Sequence, residues 1–338
     1  MHAFVVVEPG RAEVQDVPAP VPRLGEVVVD VERAGVCGTD AELFAGDMAY
    51  LSTGKAGYPI RIGHEWCGTV SAVGASVDGS WLGRRVTGDT MLGCGGCARC
   101  RGGRQHLCAD RYEIGIRGGW PGALAERLPV PVRALHPLPD SVDATLGALV
   151  EPGGNALRAV SASGVGPGSR LLVIGPGTIG LLVAQIAAAR GAEVHLLGRD
   201  GPSLDFARAL GFPYPWRSGE LPTDLEFDAV VDASNAAEMP GFAASRVEPG
   251  GRVVYIGISA PPSYVDSRDL VLKDVTAVGV LSASGGLADA IELFATGAVD
   301  PRPLVAATVD LTAVASVLAG DRPQSWGAAP KVHVDPRR

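Results

Sequence analysis

Short β-forming runs separated by glycine and proline fill the first 139 residues of this chain. Apolar positions in them follow no sustained helical period. Runs of this length, bounded by turn residues, are typical of strands. This part of the chain therefore predicts a compact β-rich unit with strands over 3–7, 26–34, 68–73, 84–87 and 123–130.

The pattern changes near residue 150, where strand-like and helix-like runs begin to alternate. Strands are predicted over 170–174, 193–197, 229–232 and 252–258, and helices over 178–190 and 203–210. Strands that alternate with helices require parallel βαβ units, so this half predicts a doubly wound parallel sheet. Beyond it we expect an amphipathic helix over 287–296 and a strand over 331–334 that could return to the first unit.

Size and composition place the chain in a broad class. At 338 residues it exceeds the size at which one hydrophobic core usually stops growing, so two domains are expected. A net charge of −8 argues against a nucleic-acid or anionic-membrane surface. No apolar stretch approaches the ~20 residues of a membrane span, and the N-terminus lacks a signal-peptide pattern. We therefore expect a soluble, cytoplasmic protein.

Four of the six cysteines, Cys94, Cys97, Cys100 and Cys108, fall within fifteen residues of one another. Four thiolates at this spacing can surround one ion tetrahedrally, and such sites in proteins are typically structural zinc sites. An iron–sulfur cluster is an alternative, but ferredoxin-type runs continue into Cys-Pro after three residues, and the last gap here is longer. Unrelated thiols or two disulfides are a further alternative.

A glycine motif follows the strand predicted over 170–174. Its members are Gly175, Pro176, Gly177, Thr178, Ile179 and Gly180, and a predicted helix begins inside it. Between a strand and a helix, such glycines allow a tight turn and a close approach of the pyrophosphate of a dinucleotide. The phosphates would lie at the helix N-terminus, where free N–H groups and the helix dipole favour negative charge.

The end of the second parallel strand bears on the choice between NAD and NADP. A carboxylate there would bind the ribose hydroxyls of NAD and repel the 2′-phosphate of NADP. The chain has Gly198 at this place, followed by Arg199. A small residue and a guanidinium favour NADP over NAD. Asp200 leaves NAD open, and Arg199 could instead be a solvated loop cation.

Three further motifs carry a family resemblance. They are Val36-Cys37-Gly38-Thr39-Asp40, Gly63-His64-Glu65-Trp66-Cys67-Gly68 and Leu149-Val150-Glu151-Pro152. With the cysteine run and the glycine motif, in this order, the chain resembles zinc-dependent medium-chain alcohol and polyol dehydrogenases, especially the sorbitol, sugar and cyclitol branch. The resemblance implies a β-rich, GroES-like catalytic domain over 1–151 and 286–338 and a Rossmann domain over 152–285.

The same motifs contain candidate ligands for a catalytic metal. Cys37 and His64 are good zinc ligands, and Glu65 and Glu151 add carboxylate oxygens; a catalytic zinc keeps three protein ligands and one open position. The resemblance assigns Cys37, His64 and Glu151 to this zinc, with Glu65 as a fourth ligand or a near neighbour. Simpler alcohol dehydrogenases have a second cysteine where Glu151 stands, so the glutamate points toward the polyol branch.

The resemblance also implies roles in proton transfer. Thr39 is expected to bond the substrate oxygen and start a proton relay, while Glu42 occupies a position where some family members have a histidine. Asp40 is a candidate acceptor for the other ring N–H of His64, because ligating imidazoles usually donate it to a carboxylate or carbonyl. An exposed turn residue is the alternative for Asp40.

These observations predict an oxidoreductase that transfers a hydride between a secondary alcohol or ketone and NAD(P), with two zinc ions per chain. Its partners would be a small-molecule substrate and copies of itself, as a homo-dimer or homo-tetramer. A zinc-free quinone or enone reductase of the same superfamily is one alternative. A non-catalytic sensor or scaffold that binds zinc and nucleotide is another.

Overall fold

The computed structural model describes residues 1–199 and 201–338 of the chain. Asp200, the alternative partner for the ribose of NAD, lies outside the described residues. Most strands lie in two large sheets, and the others pair in two small two-stranded antiparallel ribbons.

The first half of the chain is β-rich, as predicted. Its strands are β1 (His2–Glu8), β2 (Arg11–Asp16), β3 (Glu26–Val36), β4 (Glu65–Val73), β5 (Arg85–Gly88), β6 (Met91–Leu92), β7 (Tyr112–Glu113), β8 (Arg127–Pro131) and β9 (Leu135–Pro137). Its helices are α1 (Gly38–Ala45), α2 (Ala49–Ser52) and α3 (Ala98–Arg101). The prediction for 123–130 began too early, because β8 starts at Arg127, and α1 was not predicted.

The second half supplies the longer helices and the parallel strands. The helices are α4 (Ala144–Ser163), α5 (Thr178–Ala189), α6 (Gly201–Ala209), α7 (Met239–Arg246), α8 (Ser267–Leu272), α9 (Leu287–Ala295) and α10 (Val314–Leu318). The strands are β10 (Arg170–Ile174), β11 (Glu193–Gly198), β12 (Tyr214–Arg217), β13 (Phe227–Asp232), β14 (Val247–Tyr255), β15 (Thr276–Gly279), β16 (Val305–Val309) and β17 (Lys331–Val334).

One large sheet is parallel and doubly wound. Its strand order is β12-β11-β10-β13-β14-β15, and each neighbouring pair is parallel. In chain order this is 3-2-1-4-5-6, the arrangement that binds dinucleotides where the order reverses, here between β10 and β13. The prediction of a Rossmann-type sheet is confirmed.

The other large sheet is mainly antiparallel and includes the C-terminal tail. Its order is β16-β17-β3-β4-β5-β9, and β8 also pairs with β3. The predicted return of the tail is confirmed, because β17 lies antiparallel to β3, with Val332 opposite Val36. This pairing brings Lys331 beside the segment that leads to Cys37.

Helix α4 runs between the two sheets and was not predicted. It packs on β4 of the antiparallel sheet and on α5 of the parallel one. Pro152 lies inside this helix, although proline ordinarily breaks a helix. Almost all residues of α4 around it are buried. Tertiary packing therefore outweighs local propensity, and Glu151 is held on a buried helix face.

Among the described residues, no helix is long and apolar enough to cross a membrane.

Candidate active site and metal centres

Cys37 lies where β3 ends and α1 begins. Its backbone N–H donates to Asp40 Oδ2 at 2.9 Å, so the carboxylate of Asp40 caps the first turn of α1. Thr39 lies on the same turn and is half-buried. The strand-to-helix turn thus presents a thiol and a hydroxyl two residues apart.

His64 directly precedes β4 and is buried beside Asp40. Its Nδ1 lies 3.5 Å from Asp40 Oδ1, and the same oxygen accepts from the Gly63 N–H at 3.0 Å. Burial lowers the pKa of His64, but Asp40 and, to a smaller extent, Cys37 outweigh it and raise the pKa well above its ordinary value. Asp40 is fully buried, so the alternative of an exposed turn residue is wrong.

Glu65, the first residue of β4, is buried against a lysine from the C-terminal tail. Lys331 Nζ donates to Glu65 Oε1 at 2.8 Å and Oε2 at 2.7 Å, and to the Val36 carbonyl at 2.9 Å. Gly35 stands opposite Glu65 in the β3–β4 register, and a Cβ there would collide with Glu65 Oε2. Lys331 thus holds the Glu65 carboxylate in one position, and Gly35 leaves the space that this position requires.

Three of the predicted ligands come together. One donor atom each from Cys37, His64 and Glu65 lies within 4.8 Å of the other two. Glu151 is not in this group, although it is buried nearby and its Oε1 accepts from Asn155 Nδ2 at 2.9 Å. Burial raises the pKa of Glu151 to about 7, His64 opposes this shift, and Glu65 adds to it. A thiol, an imidazole and two carboxyls form a donor set that fits zinc.

The four cysteines of the second cluster also come together, in a lobe around α3. Their Sγ atoms lie within 4.8 Å of one another; Cys94 and Cys100 are 4.0 Å apart, and Cys97 and Cys108 3.8 Å. Tetrahedral zinc with Zn–S bonds of about 2.3 Å would place sulfurs ~3.8 Å apart. The six cysteines are free thiols, so the disulfide alternative is wrong.

Backbone N–H groups inside the lobe point at its sulfurs. The Cys100 N–H lies 3.5 Å from Cys97 Sγ, and the Cys94 N–H lies 3.5 Å from Cys108 Sγ. Hydrogen bonding from Cys100 lowers the pKa of Cys97 to about 6. A donated hydrogen bond favours the thiolate, the form that binds metal, so the lobe fits a closed four-sulfur zinc site.

The glycine motif has the geometry of a dinucleotide turn. Gly175 follows β10 with φ +91°, a conformation that L side chains rarely adopt. A Cβ on Gly177 would meet nothing within 4 Å, which leaves the start of α5 open to a ligand, whereas a Cβ on Gly180 would collide with the Gly175 carbonyl. Thr178 and Ile179 form the first turn of α5.

At the carboxyl end of β11, the neighbouring strand β12 supplies a second arginine in addition to Arg199. Gly198 ends β11 in register with Arg217, the last residue of β12, and Arg199 is exposed just beyond. A Cβ on Gly201 would lie 2.7 Å from Arg217 Nη2. Arg199 and Arg217 therefore both stand at the strand end where a ribose would lie.

Sequence reasoning missed Lys331, Gly35 and Arg217. A signal for Lys331 was present: it opens the strand Lys331–Val334, whose two valines predict a buried strand, and an unpaired lysine is rarely buried. Gly35 and Arg217 had no local signal, because each matters through the residue opposite it in a sheet.

Comparison with known proteins agrees with this geometry. Residues 23–140 match the family model of the alcohol dehydrogenase GroES-like domain, and residues 178–296 match that of the zinc-binding dehydrogenases. The chain is 32% identical to 2-dehydro-3-deoxy-L-galactonate 5-dehydrogenase of Pseudoalteromonas atlantica, over 88% of both chains. It is 31% identical to L-threonine 3-dehydrogenase of Saccharopolyspora erythraea, over 83% of both chains.

A solved structure has the same fold along the whole chain. A putative zinc-binding dehydrogenase from Sinorhizobium meliloti 1021, bound to NADP, superposes with a TM-score of 0.89 and 28% identity, covering 99% of each chain. The protein belongs to the zinc-dependent medium-chain alcohol and polyol dehydrogenase family. It is an oxidoreductase of alcohols that uses zinc and a nicotinamide cofactor, which confirms the predicted family, fold class and reaction class.

Proposed function

We propose that this protein is an NADP-preferring dehydrogenase that oxidises a secondary alcohol in a polyol, sugar or cyclitol. The observation that carries the proposal is the convergence of Cys37 and His64, whose donor atoms lie within 4.8 Å of each other and of Glu65, with Glu151 buried nearby. The same chain also has a complete dinucleotide turn. The similarity to an enzyme named for a deoxy-galactonate supports the sugar-like substrate class.

Cys37, His64 and Glu151 would hold the catalytic zinc, and Glu65 would be a near neighbour. Both oxygens of Glu65 already accept from Lys331, which disfavours Glu65 as a permanent ligand. When bound, zinc supplies a Lewis acid for the substrate oxygen and the nicotinamide accepts the hydride. Thr39 would bond the substrate hydroxyl and be the first member of the relay that carries its proton away, and Asp40 would orient His64.

A second zinc would be held by Cys94, Cys97, Cys100 and Cys108. The four sulfurs leave no open position, so this ion would stabilise the lobe and take no part in the reaction. Metal analysis of protein purified without chelator should give about two zinc ions per chain. A value near one would remove one of the two sites, and iron would refute the four-sulfur zinc assignment.

The cofactor would lie across the carboxyl edge of the parallel sheet. Its pyrophosphate would meet Gly175, Gly177 and the first turn of α5, while Arg199 would pair with the 2′-phosphate beside Gly198. Arg217 supports this preference, because it adds a second positive charge at the same strand end.

We also propose the domain division 1–151 plus 286–338 and 152–285, and a homo-oligomer in the cytoplasm. None of the six cysteines forms a disulfide, which suits a reducing compartment. Self-association is supported by exposed apolar side chains near the open edge strand β15, namely Ile258, Tyr264, Val271 and Leu272. Light scattering should give a mass of at least two chains.

A substrate screen tests the proposed function. Polyols, sugars and cyclitols are offered with NAD and with NADP, and the reduced nicotinamide is followed by its absorbance. We expect turnover with at least one substrate, faster with NADP, and none in a Cys37→Ala control. Tight binding of cofactor without turnover of any alcohol would favour the sensor alternative.

A further inference from the structure

Asp89 is a buried carboxylate that connects two distant parts of the molecule. It follows β5 and is 3% exposed. Its Oδ2 accepts from Gln105 Nε2 at 2.8 Å, and its Oδ1 accepts from Ser284 Oγ at 2.9 Å and from the Met91 N–H at 2.9 Å. Hydrogen bonds to an ionised acceptor are strong when buried, so these contacts form a firm link.

Gln105 joins this link to the cysteine lobe. It begins a short helical turn that ends just before Cys108. A Cβ on Gly93 would lie 2.6 Å from Cys100 Sγ and 2.9 Å from Gln105 Cβ, so Gln105 and a lobe sulfur approach the same point of the backbone. A change in the packing of the lobe would therefore displace Gln105.

Ser284 joins the link to the cofactor side. It lies in the loop 280–286 at the carboxyl end of β15, and dinucleotides bind outside the carboxyl ends of such strands. The strand order reverses between β10 and β13, and beyond that point the crevice expected to hold the dinucleotide is bordered by β13, β14 and β15. Arg158 on α4 donates to the Leu281 and Ser282 carbonyls, and a Cβ on Gly154 would lie 2.9 Å from Ala283 Cβ. The loop is thus held by α4 on one side and by Asp89 on the other.

We propose that Asp89 is a positioning residue that couples cofactor binding to the integrity of the cysteine lobe through the chain Gln105–Asp89–Ser284. The inference rests on the proposed function, because it needs the cofactor to lie against the loop 280–286. Cofactor that orders this loop strengthens the Ser284–Asp89 bond and holds Gln105 against the lobe. Coupling between two sites is reciprocal, so an intact lobe also increases cofactor affinity.

The rate at which the lobe thiols react measures this coupling without relying on turnover. The zinc-loaded protein is treated with iodoacetamide with and without saturating NADP, and alkylation of Cys94, Cys97, Cys100 and Cys108 is followed by peptide mass spectrometry. We expect NADP to slow alkylation by at least about 5-fold. Ser284→Ala and Gln105→Met should each lose this protection, because each breaks one end of the link.

A serine far from the link serves as the matched control. Ser245 is exposed, and its hydroxyl donates to the Phe242 carbonyl three residues earlier in the same helix. Ser245→Ala should therefore keep full protection. Protection retained in either Ser284→Ala or Gln105→Met would overturn the coupling.

A fluorescence titration with NADPH and NADH separates this inference from the proposed function. Cofactor binding without protection of the parent lobe would overturn the coupling and leave the dehydrogenase assignment standing. Failure of both cofactors to bind would refute both. The same titration should show weaker NADPH binding in Gln105→Met, a residue in the lobe rather than in the cofactor crevice.

Discussion

Lys331 Nζ and the carboxylate of Glu65 form a buried ion pair, with both oxygens within 2.8 Å of the ammonium nitrogen. The side chains are 3% and 2% exposed. A pair so buried stabilises a fold little compared with apolar residues, but losing one partner is costly. Its consequence here is positional, because it ties the C-terminal strand β17 to the residue that follows His64.

Removing the lysine should therefore leave the buried Glu65 carboxylate without its partner. We predict that Lys331→Met lowers the free energy of unfolding by about 3–5 kcal/mol and sharply reduces turnover, as judged by urea unfolding and steady-state kinetics. The double variant Lys331→Met/Glu65→Gln should lose less stability than the sum of the two single variants.

Lys55→Met provides the control, because Lys55 is exposed and its Nζ lies over the Tyr50 ring at 5.6 Å, so the substitution should change stability by no more than about 1 kcal/mol. Additive effects of Lys331→Met and Glu65→Gln would contradict the assigned pair.

The two groups of cysteines should respond differently to substitution. We predict that Cys37→Ala reduces kcat by at least ~10³-fold with little change in the melting temperature, because a ligand of the Lewis acid is lost from an otherwise packed turn. Cys97→Ser should instead lower the melting temperature, because the lobe depends on its metal for its form. Zinc analysis of both variants checks that each loses about one ion per chain. Substantial activity in Cys37→Ala would refute the catalytic assignment.

The cofactor preference should depend on Arg199. We predict that Arg199→Ala lowers kcat/KM for NADP by about 10-fold or more while changing that for NAD little, because a charge-assisted contact to the 2′-phosphate is lost. Arg217→Ala should act in the same direction.

Gly198→Asp tests the same site by adding the missing carboxylate, but it carries a steric cost, since its Cβ would lie 2.8 Å from Pro176 Cγ. The arginine variants are therefore the cleaner comparison. A parent enzyme that strongly favours NAD would refute the preference.

His333 should make the protein sensitive to acid. It is fully buried, neither ring nitrogen has a hydrogen-bond partner within residues 1–199 and 201–338, and burial, with Lys331 and Arg33, lowers its pKa from 6.5 to about 3. Below pH 6.5, His333 therefore binds a proton in the unfolded chain but stays neutral in the folded chain. The stability this group contributes is complete above pH 6.5 and falls as the pH drops, by up to about 1.4 kcal/mol per pH unit.

We predict that His333→Leu makes the melting temperature less dependent on pH between 6.5 and 5. Equal pH dependence in the parent and in His333→Leu would contradict the prediction.

Several features could be predicted because they depend on neighbours in the sequence. The strand β10, the turn from Gly175 to Gly180 and the helix α5 are one continuous local unit, and the glycine spacing between a strand and a helix predicts its geometry. The four cysteines lie within fifteen residues, so their convergence needs only a compact loop. The tail strand 331–334 was evident from its apolar residues.

Other features were decided only by tertiary structure, because they join residues whose separation along the chain carries no local signal. Helix α4 forms across Pro152 because its faces are buried against both sheets, which local propensity cannot register. Lys331 reaches Glu65 across 266 positions, and Ser284 reaches Asp89 across 195. The sequence by itself determined which residue types were available for zinc and cofactor. Sheet register and helix packing decided which of them meet, since buried polar groups are stable only where the fold supplies a partner.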